Sequence, residues 1–267
     1  MKSFSSWVAE KWLCGFNHSY KISVQSRHWK HFYSLYKTDI WSCSSLREAQ
    51  LKYSWDGGGF DQNSKKLAEL AEVLQTAMRT SDENSAFEAC RRILRWGGVT
   101  SSSTTEWLER LKDSYSLVST LNDALRALRA GRSVCFNSSE FLMNSGMTKI
   151  YSLADSSNLI IIYDGRVGAS LGYLVVQYCR EMSLDTIPDM LAFEWGASRK
   201  TKNGYHKRNP SNESFCFSQL GLQSDSMQRH ARMVITASAQ IKQISDRIDV
   251  PVRNIEAALF MVGYELP

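Results

Sequence analysis

Residues 144–153 of the chain read NSGMTKIYSL, and residues 160–167 read IIIYDGRV. In the first stretch, two helical segments meet at a turn that contains Gly146, and Lys149 opens the second segment. In the second stretch, Asp164 follows a short apolar run and precedes another segment with helical spacing. The two stretches therefore predict two helices joined at a glycine turn, followed by a helix with an aspartate near its start.

Helical spacing of apolar residues also dominates the rest of the chain. Segments with this spacing cover residues 65–79, 84–96, 107–128, 138–154, 167–182, 226–247 and 251–262. The run at 159–163 is either a strand or an extended lead-in to a helix, and the polar residues 196–215 predict a long surface loop. We therefore expect an all-α, mainly helical fold. We expect an aromatic-rich segment over 1–60 to pack on a helical domain over 61–267, with a fold of two closely packed helical subdomains as the alternative.

Composition narrows the class of protein. A chain of 267 residues can bury a large core without staples, and its six scattered cysteines lack zinc spacing and read as reduced thiols. The five histidines form no metal motif, so we expect no metal and no other cofactor. No apolar run approaches the ~20 residues that span a bilayer, and the first residues do not resemble a signal peptide, so we expect a cytoplasmic protein. The net charge of +5 permits a polyanionic partner.

Lys149 and Asp164 are the residues whose placement points most directly to chemistry. A lysine at a helix N-terminus faces the positive end of the helix dipole, and partial desolvation makes its neutral, nucleophilic amine accessible. A nearby aspartate can orient that amine, relay its proton and stabilise positive charge on a sugar as a glycosidic bond breaks. The alternative is a surface lysine and an aspartate that only caps the helix starting near Val167.

The same residues resemble those of a known family. The sequence GMTKI at 146–150, followed by YDGRV at 163–167, resembles the helix-hairpin-helix DNA glycosylases, specifically the 8-oxoguanine DNA glycosylase branch. The resemblance covers about residues 138–182 and implies that Lys149 is the nucleophile and Asp164 the catalytic carboxylate. It also implies that Gly146 and Thr148 belong to a hairpin whose backbone amides hold a DNA phosphate. It extends to divergent bacterial members, some of which resemble phage-defence glycosylases.

Further candidates for DNA contact lie elsewhere in the chain. Trp55 and Phe60 flank a glycine-rich loop and suit wedging or stacking on a flipped base, or else they form a plain turn between core aromatics. Phe193 and Trp195 are candidates for the base pocket, with core packing as the default. Arg166 contacts phosphate or pairs with a carboxylate. A basic loop that follows a phosphate backbone, or is simply solvated, contains Arg199, Lys200, Lys202, Lys207 and Arg208.

These features together predict a DNA glycosylase. We expect it to bind double-stranded DNA, flip out a modified or damaged base and excise it by attack at the sugar C1′. A lysine nucleophile would leave a Schiff base, so a coupled strand-cleaving lyase activity is a further hypothesis, with anti-phage defence as one setting. No protein partner and no membrane contact are predicted. The alternatives are a non-catalytic DNA-binding or partner-binding helical module, and a helical scaffold whose basic loop binds an acidic protein.

Overall fold

The computed structural model describes residues 2–99, 101–136, 141–198 and 205–267. Helices make up 59% of the chain, which confirms the all-α prediction. In the described residues the helices are α1 (Phe4–Leu13), α2 (Lys30–Tyr36), α3 (Leu46–Leu51), α4 (Phe60–Arg79), α5 (Glu83–Trp96), α6 (Ser102–Asp113), α7 (Leu117–Arg129), α8 (Ser145–Ala154), α9 (Gly165–Glu181), α10 (Ser226–Ile248) and α11 (Val252–Val262). None of these helices is both long and apolar enough to cross a membrane.

A small sheet lies in the N-terminal segment, where helical spacing predicted no element. Strand β1 (His18–Lys21) pairs with strand β2 (Ile40–Cys43) in the antiparallel direction, and His18 lies opposite Cys43. Two of the buried residues are aromatic and lie opposite each other: the rings of Tyr20 and Trp41 stack with their centroids 4.8 Å apart. Cross-strand aromatic pairs of this kind stabilise short antiparallel ladders.

The connection before α8 differs from the predicted glycine turn. Between the end of α7 and the start of α8, the described residues include a 3₁₀ helix at Ser133–Phe136. Gly146 lies inside the first turn of α8, because the side chain of Asn144 caps this helix by accepting from the amides of Gly146 and Met147. The prediction of two helices that meet at Gly146 was therefore wrong. Of the two alternatives for the run at 159–163, the structure has the lead-in to a helix and not the strand, since α9 begins directly after Asp164.

The chain divides into two compact units. We call residues 1–63, 164–222 and 239–267 the terminal unit, and residues 64–163 and 223–238 the central unit. The N-terminal aromatic-rich segment is thus part of a larger unit that also contains residues 164–222 and 239–267, whereas the sequence predicted a division at residue 60. The difference arises because contacts between segments far apart in the sequence define the units.

The core of the terminal unit forms around α11. This helix packs against α3 and α9, while α1 packs against the same two helices. Trp7, Trp29 and Trp41 are each at most 2% exposed, so the tryptophans that looked scattered in the sequence lie in this core. The core of the central unit forms where α5 packs against α6, α7 and α8, with Ile93 of α5 fully buried. Burial of large apolar side chains supplies most of the stabilisation of both units.

The close approach of α11 and α9 depends on the absence of a side chain at Gly263. A Cβ atom there would lie 1.8 Å from the carbonyl oxygen of Arg166 and 2.6 Å from its carbonyl carbon, and backbone atoms cannot rotate away. We expect Gly263→Ala to lower the free energy of unfolding by on the order of 3 kcal/mol, measured by urea denaturation. Gly58→Ala is the matched control, because its Cβ would meet only the flexible end of Gln62 and the side chain of Asn63. Equal stability of the two variants would contradict this account of the packing.

Candidate functional site

Lys149 lies near the N-terminus of α8 and is only 6% exposed. Its aliphatic chain passes directly over Gly97, which follows α5: a Cβ on Gly97 would lie 2.4 Å from Cδ of Lys149. The amine Nζ donates a hydrogen bond of 2.9 Å to the carbonyl of Ser145. The interpretation of Lys149 as a surface lysine was therefore wrong, and the side chain is held in one place among protein atoms. Lysines this buried are rare in proteins.

The first turn of α8 satisfies its amides internally. The amides of Gly146 and Met147 donate to the side-chain oxygen of Asn144 at 2.9 and 3.0 Å, and the amide of Thr148 donates to the Asn144 carbonyl. Thr148 is fully buried. The resemblance implies that a DNA phosphate binds next to Gly146 and Thr148, but in the structure Asn144 takes that position. We therefore assign neither Gly146 nor Thr148 a phosphate contact.

The segment before Asp164 is held against α8 by side-chain hydrogen bonds. The hydroxyl of Ser152 donates to the carbonyl of Ile160 at 2.5 Å, and the hydroxyl of Thr148 donates to the carbonyl of Tyr163 at 3.2 Å. The ring Nε2 of His230 lies 3.0 Å from the same Tyr163 carbonyl. Three side chains in the central unit therefore fix the backbone that leads into Asp164. No local sequence pattern singles out Ser152 or His230 for this role.

Asp155 organises the turn that follows α8. Its side chain is fully buried and accepts from the amides of Leu159 and Ile160 at 2.8 and 2.9 Å, as well as from Ser157 and Arg129. Burial raises the pKa of Asp155, but hydrogen bonds from Ser157 and Arg129 outweigh this effect and bring the pKa below its ordinary value. Sequence analysis missed this residue, because an aspartate in a polar turn looks solvent-exposed. We assign it a structural role.

Asp164 is the N-cap of α9. Its Oδ1 accepts from the amides of Arg166 and Val167 at 2.9 and 3.2 Å, so the capping role considered for it is present in the structure. The next residue, Gly165, lies so close to Gly196 that a Cβ atom would meet the Gly196 carbonyl at 2.8 Å. These contacts fix both the backbone and the side-chain orientation of Asp164. Its carboxylate also lies at the end of α9 where the helix dipole favours negative charge.

Arg166 lies within a group of aromatic rings in the terminal unit. Its guanidinium carbon is 4.2 Å from the ring centre of Phe260 and 5.0 Å from those of Trp55 and Tyr264. Burial lowers the pKa of Arg166, and the charge of the nearby Asp164 opposes that shift. The guanidinium remains charged at neutral pH, because arginine starts from a very high pKa. We call Arg166 and these three rings the aromatic box.

Trp55 contributes to the aromatic box from a tight turn. Asp56 and Gly57 have φ values of +50° and +80°, and the backbones of Trp55 and Gly58 form two reciprocal hydrogen bonds. The Trp55 ring stacks on His28 with 4.1 Å between centroids and 3° between planes. Burial, together with the charge of Arg166, lowers the pKa of His28 to about 4, so its imidazole is neutral at pH 7. Trp55 is therefore a buried residue that forms one side of the aromatic box, and not an exposed residue available to wedge between bases.

The other aromatic candidates contact residues outside the aromatic box. Phe60 begins α4 and packs edge-on against Tyr53 at 6.2 Å. Phe193 is 1% exposed and lies 6.5 Å from the ring of Phe4, as expected for a core residue. The indole of Trp195 donates to the carbonyl of Phe217 at 3.2 Å.

The second half of the predicted basic loop is anchored. The ring of His206 lies 3.0 Å from the carboxylate of Glu265, and the carbonyl of Lys207 accepts from the amide of Leu266 at 2.7 Å. Arg208 is half-buried, and its Nε donates to the carbonyl of Tyr264. Residues 205–215 form a loop without helix or strand, as predicted, and Tyr205 and Lys207 are exposed, but His206 and Arg208 are half-buried and not solvated. Three other cationic candidates lie outside the described residues: Arg199, Lys200 and Lys202.

Comparison of the chain with protein families, curated proteins and solved structures finds no match. The class of site must therefore be argued from the residues themselves. What the structure supplies is a buried lysine at the start of α8, a capping aspartate at the start of α9, and a cationic aromatic box beside that aspartate.

Proposed function

We propose that the protein is a cytoplasmic DNA glycosylase in which Lys149 is the nucleophile and Asp164 the supporting carboxylate. The single observation that carries this proposal is the burial of the Lys149 amine at the N-terminal end of α8. Burying an ammonium group is costly, so a protein keeps such a lysine where its neutral form or its precise position is useful. We further propose that α7 and α8 belong to a helix-hairpin-helix-like fold.

The link between the two proposed catalytic residues runs through the backbone. The carbonyl of Tyr163 accepts from Thr148, and these two residues directly precede Asp164 and Lys149 in the chain. This hydrogen bond joins the start of α8, which contains the lysine, to the segment that leads into the aspartate. It is also consistent with the order of residues in the glycosylases that the sequence resembles.

The proposed reaction begins with the neutral amine of Lys149. Its lone pair forms a bond to C1′ of the flipped nucleotide while the bond from C1′ to the base breaks, and the base leaves with the electron pair and takes up a proton. The lysine nitrogen then loses a proton, the sugar ring opens, and O4′ takes up a proton. The product is a protonated imine between Lys149 and C1′. Hydride from borohydride reduces this imine to a stable amine.

Asp164 is proposed to act by charge. Positive charge develops on the sugar as the base leaves, and a carboxylate fixed in advance stabilises that charge without reorganising. The capping bonds to Arg166 and Val167 hold the carboxylate in place through the reaction. The geometry suits this role because a side chain with two backbone partners has little rotational freedom.

The test is borohydride trapping on labelled duplexes that carry oxidised, deaminated, alkylated or hypermodified bases. Release of a base together with a covalent adduct would establish a bifunctional glycosylase and identify its substrate. Release without an adduct would retain the glycosylase but replace the lysine nucleophile with water. Binding without release on every duplex would replace the proposal with a non-catalytic DNA-binding module.

Gly97→Ala tests the position of Lys149 without altering the lysine. The added methyl group would lie 2.4 Å from Cδ and 2.6 Å from Cε, so the flexible side chain must shift while the fold is retained. A misplacement of about 1 Å costs on the order of 100-fold in rate, and we expect single-turnover base release to fall by about that factor. The melting temperature should change little, because the end of a lysine side chain can move.

The control for this variant is the same change in a Lys149→Gln background. If Gly97→Ala acts by displacing the lysine, it should have little further effect on the rate of base release once the amine has been removed. An unchanged rate for Gly97→Ala alone would show that the contact between Gly97 and Lys149 does not matter for catalysis.

A further inference from the structure

Three helix ends meet beside the proposed nucleophile in the central unit. The side chain of Leu94, in the last turn of α5, lies 3.2 Å from the position that a Cβ atom on Gly146 would take in the first turn of α8. Asn144, which caps α8, donates from its side-chain amide to the hydroxyl of Thr104 in the first turn of α6 at 3.1 Å. We use the name three-helix end for the end of α5 and the starts of α6 and α8, which comprise residues 92–96, 102–105 and 145–148.

The charge at the three-helix end is positive. None of its residues is acidic, whereas α5 contributes Arg92 and Arg95, which are both exposed. Within the described residues, neither of these arginines has a carboxylate partner. Their neighbour Arg91, in contrast, pairs with Glu88 at 2.9 Å. The guanidinium groups of Arg92 and Arg95 are therefore available to an anion from outside the protein.

The structure of α5 by itself accounts for only one of the two arginines. The helix dipole favours a cation in the last turn, where Arg95 lies, but this effect falls off before Arg92. Because Arg92 and Arg95 are three positions apart, they share one face of the helix, where like charges repel each other. An anion that contacts both guanidinium groups would remove this repulsion.

The backbone amides at the start of α8 do not supply a phosphate contact, because Asn144 already accepts from them. We propose that Arg92 and Arg95 hold a phosphate of the DNA backbone next to the nucleotide that Lys149 attacks. An arginine guanidinium matches the oxygens of a phosphate through two parallel N–H donors, and it stays charged at any pH that the protein meets. The inference rests on the proposed glycosylase function and names the surface of the central unit that binds its substrate.

The experiment measures the affinity of the full chain for labelled duplexes by fluorescence anisotropy, between about 50 and 200 mM salt. The variants are Arg92→Gln, Arg95→Gln and the double variant, since glutamine removes the charge but keeps a high helix propensity. Loss of the phosphate contact in the double variant should reduce the slope of log affinity against log salt by about 1. It should also weaken binding by the same factor for duplexes with and without a modified base. Each single variant should show part of this loss.

Arg110→Gln is the matched control. Arg110 is also exposed, lies in the last turn of a helix of the same unit, and has no carboxylate partner in the described part of the chain, but it lies outside the three-helix end. This variant should bind like the wild type. The inference is overturned if the double variant keeps the wild-type affinity and salt slope. It is also overturned if Arg110→Gln loses as much, because the effect would then come from net charge alone.

Base release separates this inference from the proposed function. If the wild-type protein releases a base and the double variant binds DNA as tightly as the wild type, only the inference is wrong. If the double variant loses the phosphate contact but the wild-type protein releases no base from any duplex, the proposed function is wrong, and Arg92 and Arg95 remain a phosphate contact of a DNA-binding module. A wild-type protein that binds no duplex overturns both.

Discussion

Replacing Lys149 with glutamine is expected to abolish covalent trapping on DNA and to slow base release by on the order of 1,000-fold or more. Glutamine has no lone pair basic enough to attack C1′, although it can still bond to the carbonyl of Ser145. The measurement is single-turnover base release with borohydride present, on whichever duplex the wild-type protein cleaves. DNA binding should persist, because Lys149 is buried and does not supply the surface charge that attracts phosphate.

Lys149→Met provides the matched control for this result. Methionine fills the space over Gly97 but loses the hydrogen bond to Ser145 as well as the amine. Both variants should melt close to the wild type or above it, because the desolvation cost of a buried amine disappears with it. A glutamine variant that still forms an adduct would contradict the assignment of Lys149, whereas one that releases base without an adduct would point to water as nucleophile.

Changing Asp164 to asparagine and to alanine is expected to separate catalysis from capping. Asparagine is as good an N-cap as aspartate, so Asp164→Asn should keep the bonds to the amides of Arg166 and Val167 and leave stability nearly unchanged. Asp164→Ala removes the cap and should lower the free energy of unfolding by about 1 kcal/mol. Both variants lose the negative charge and should slow base release by on the order of 100- to 10,000-fold.

Two measurements distinguish these effects. Urea denaturation reports the cap, and single-turnover base release reports the charge. If Asp164→Asn releases base at the wild-type rate while Asp164→Ala does not, the aspartate acts only through its cap and the catalytic role is wrong. If the losses of transition-state stabilisation caused by Asp164→Asn and by Lys149→Gln are not additive in the double variant, the two residues act in one step.

The helices were the part of the fold that the sequence predicted well. The boundaries of α5, α10 and α11 agree with the predicted segments to within one residue, because apolar spacing, the cap at Asp82 and the proline at the start of α11, Pro251, are all local features. The pairing of β1 with β2 went unpredicted, because α2 lies between the two strands, the paired residues are about twenty residues apart in the chain, and neither strand shows a clear alternation of apolar and polar residues. The connection at 130–144 was misread because Asn144, and not Gly146, sets the start of α8.

The sequence by itself determined the helical class of the protein, the start of α9 at Asp164 and the presence of a lysine near the start of a helix. These features are local, because helical periodicity and capping depend only on neighbours within a few residues. Only the tertiary structure decided that Lys149 is buried, because Gly97 covers it from another helix. Likewise, only the tertiary structure shows that Arg166, for which the sequence suggested a phosphate contact or a carboxylate partner, lies at the centre of the aromatic box. The rings of Trp55, Phe260 and Tyr264 come from opposite ends of the chain, and their burial together stabilises a contact that no local pattern specifies.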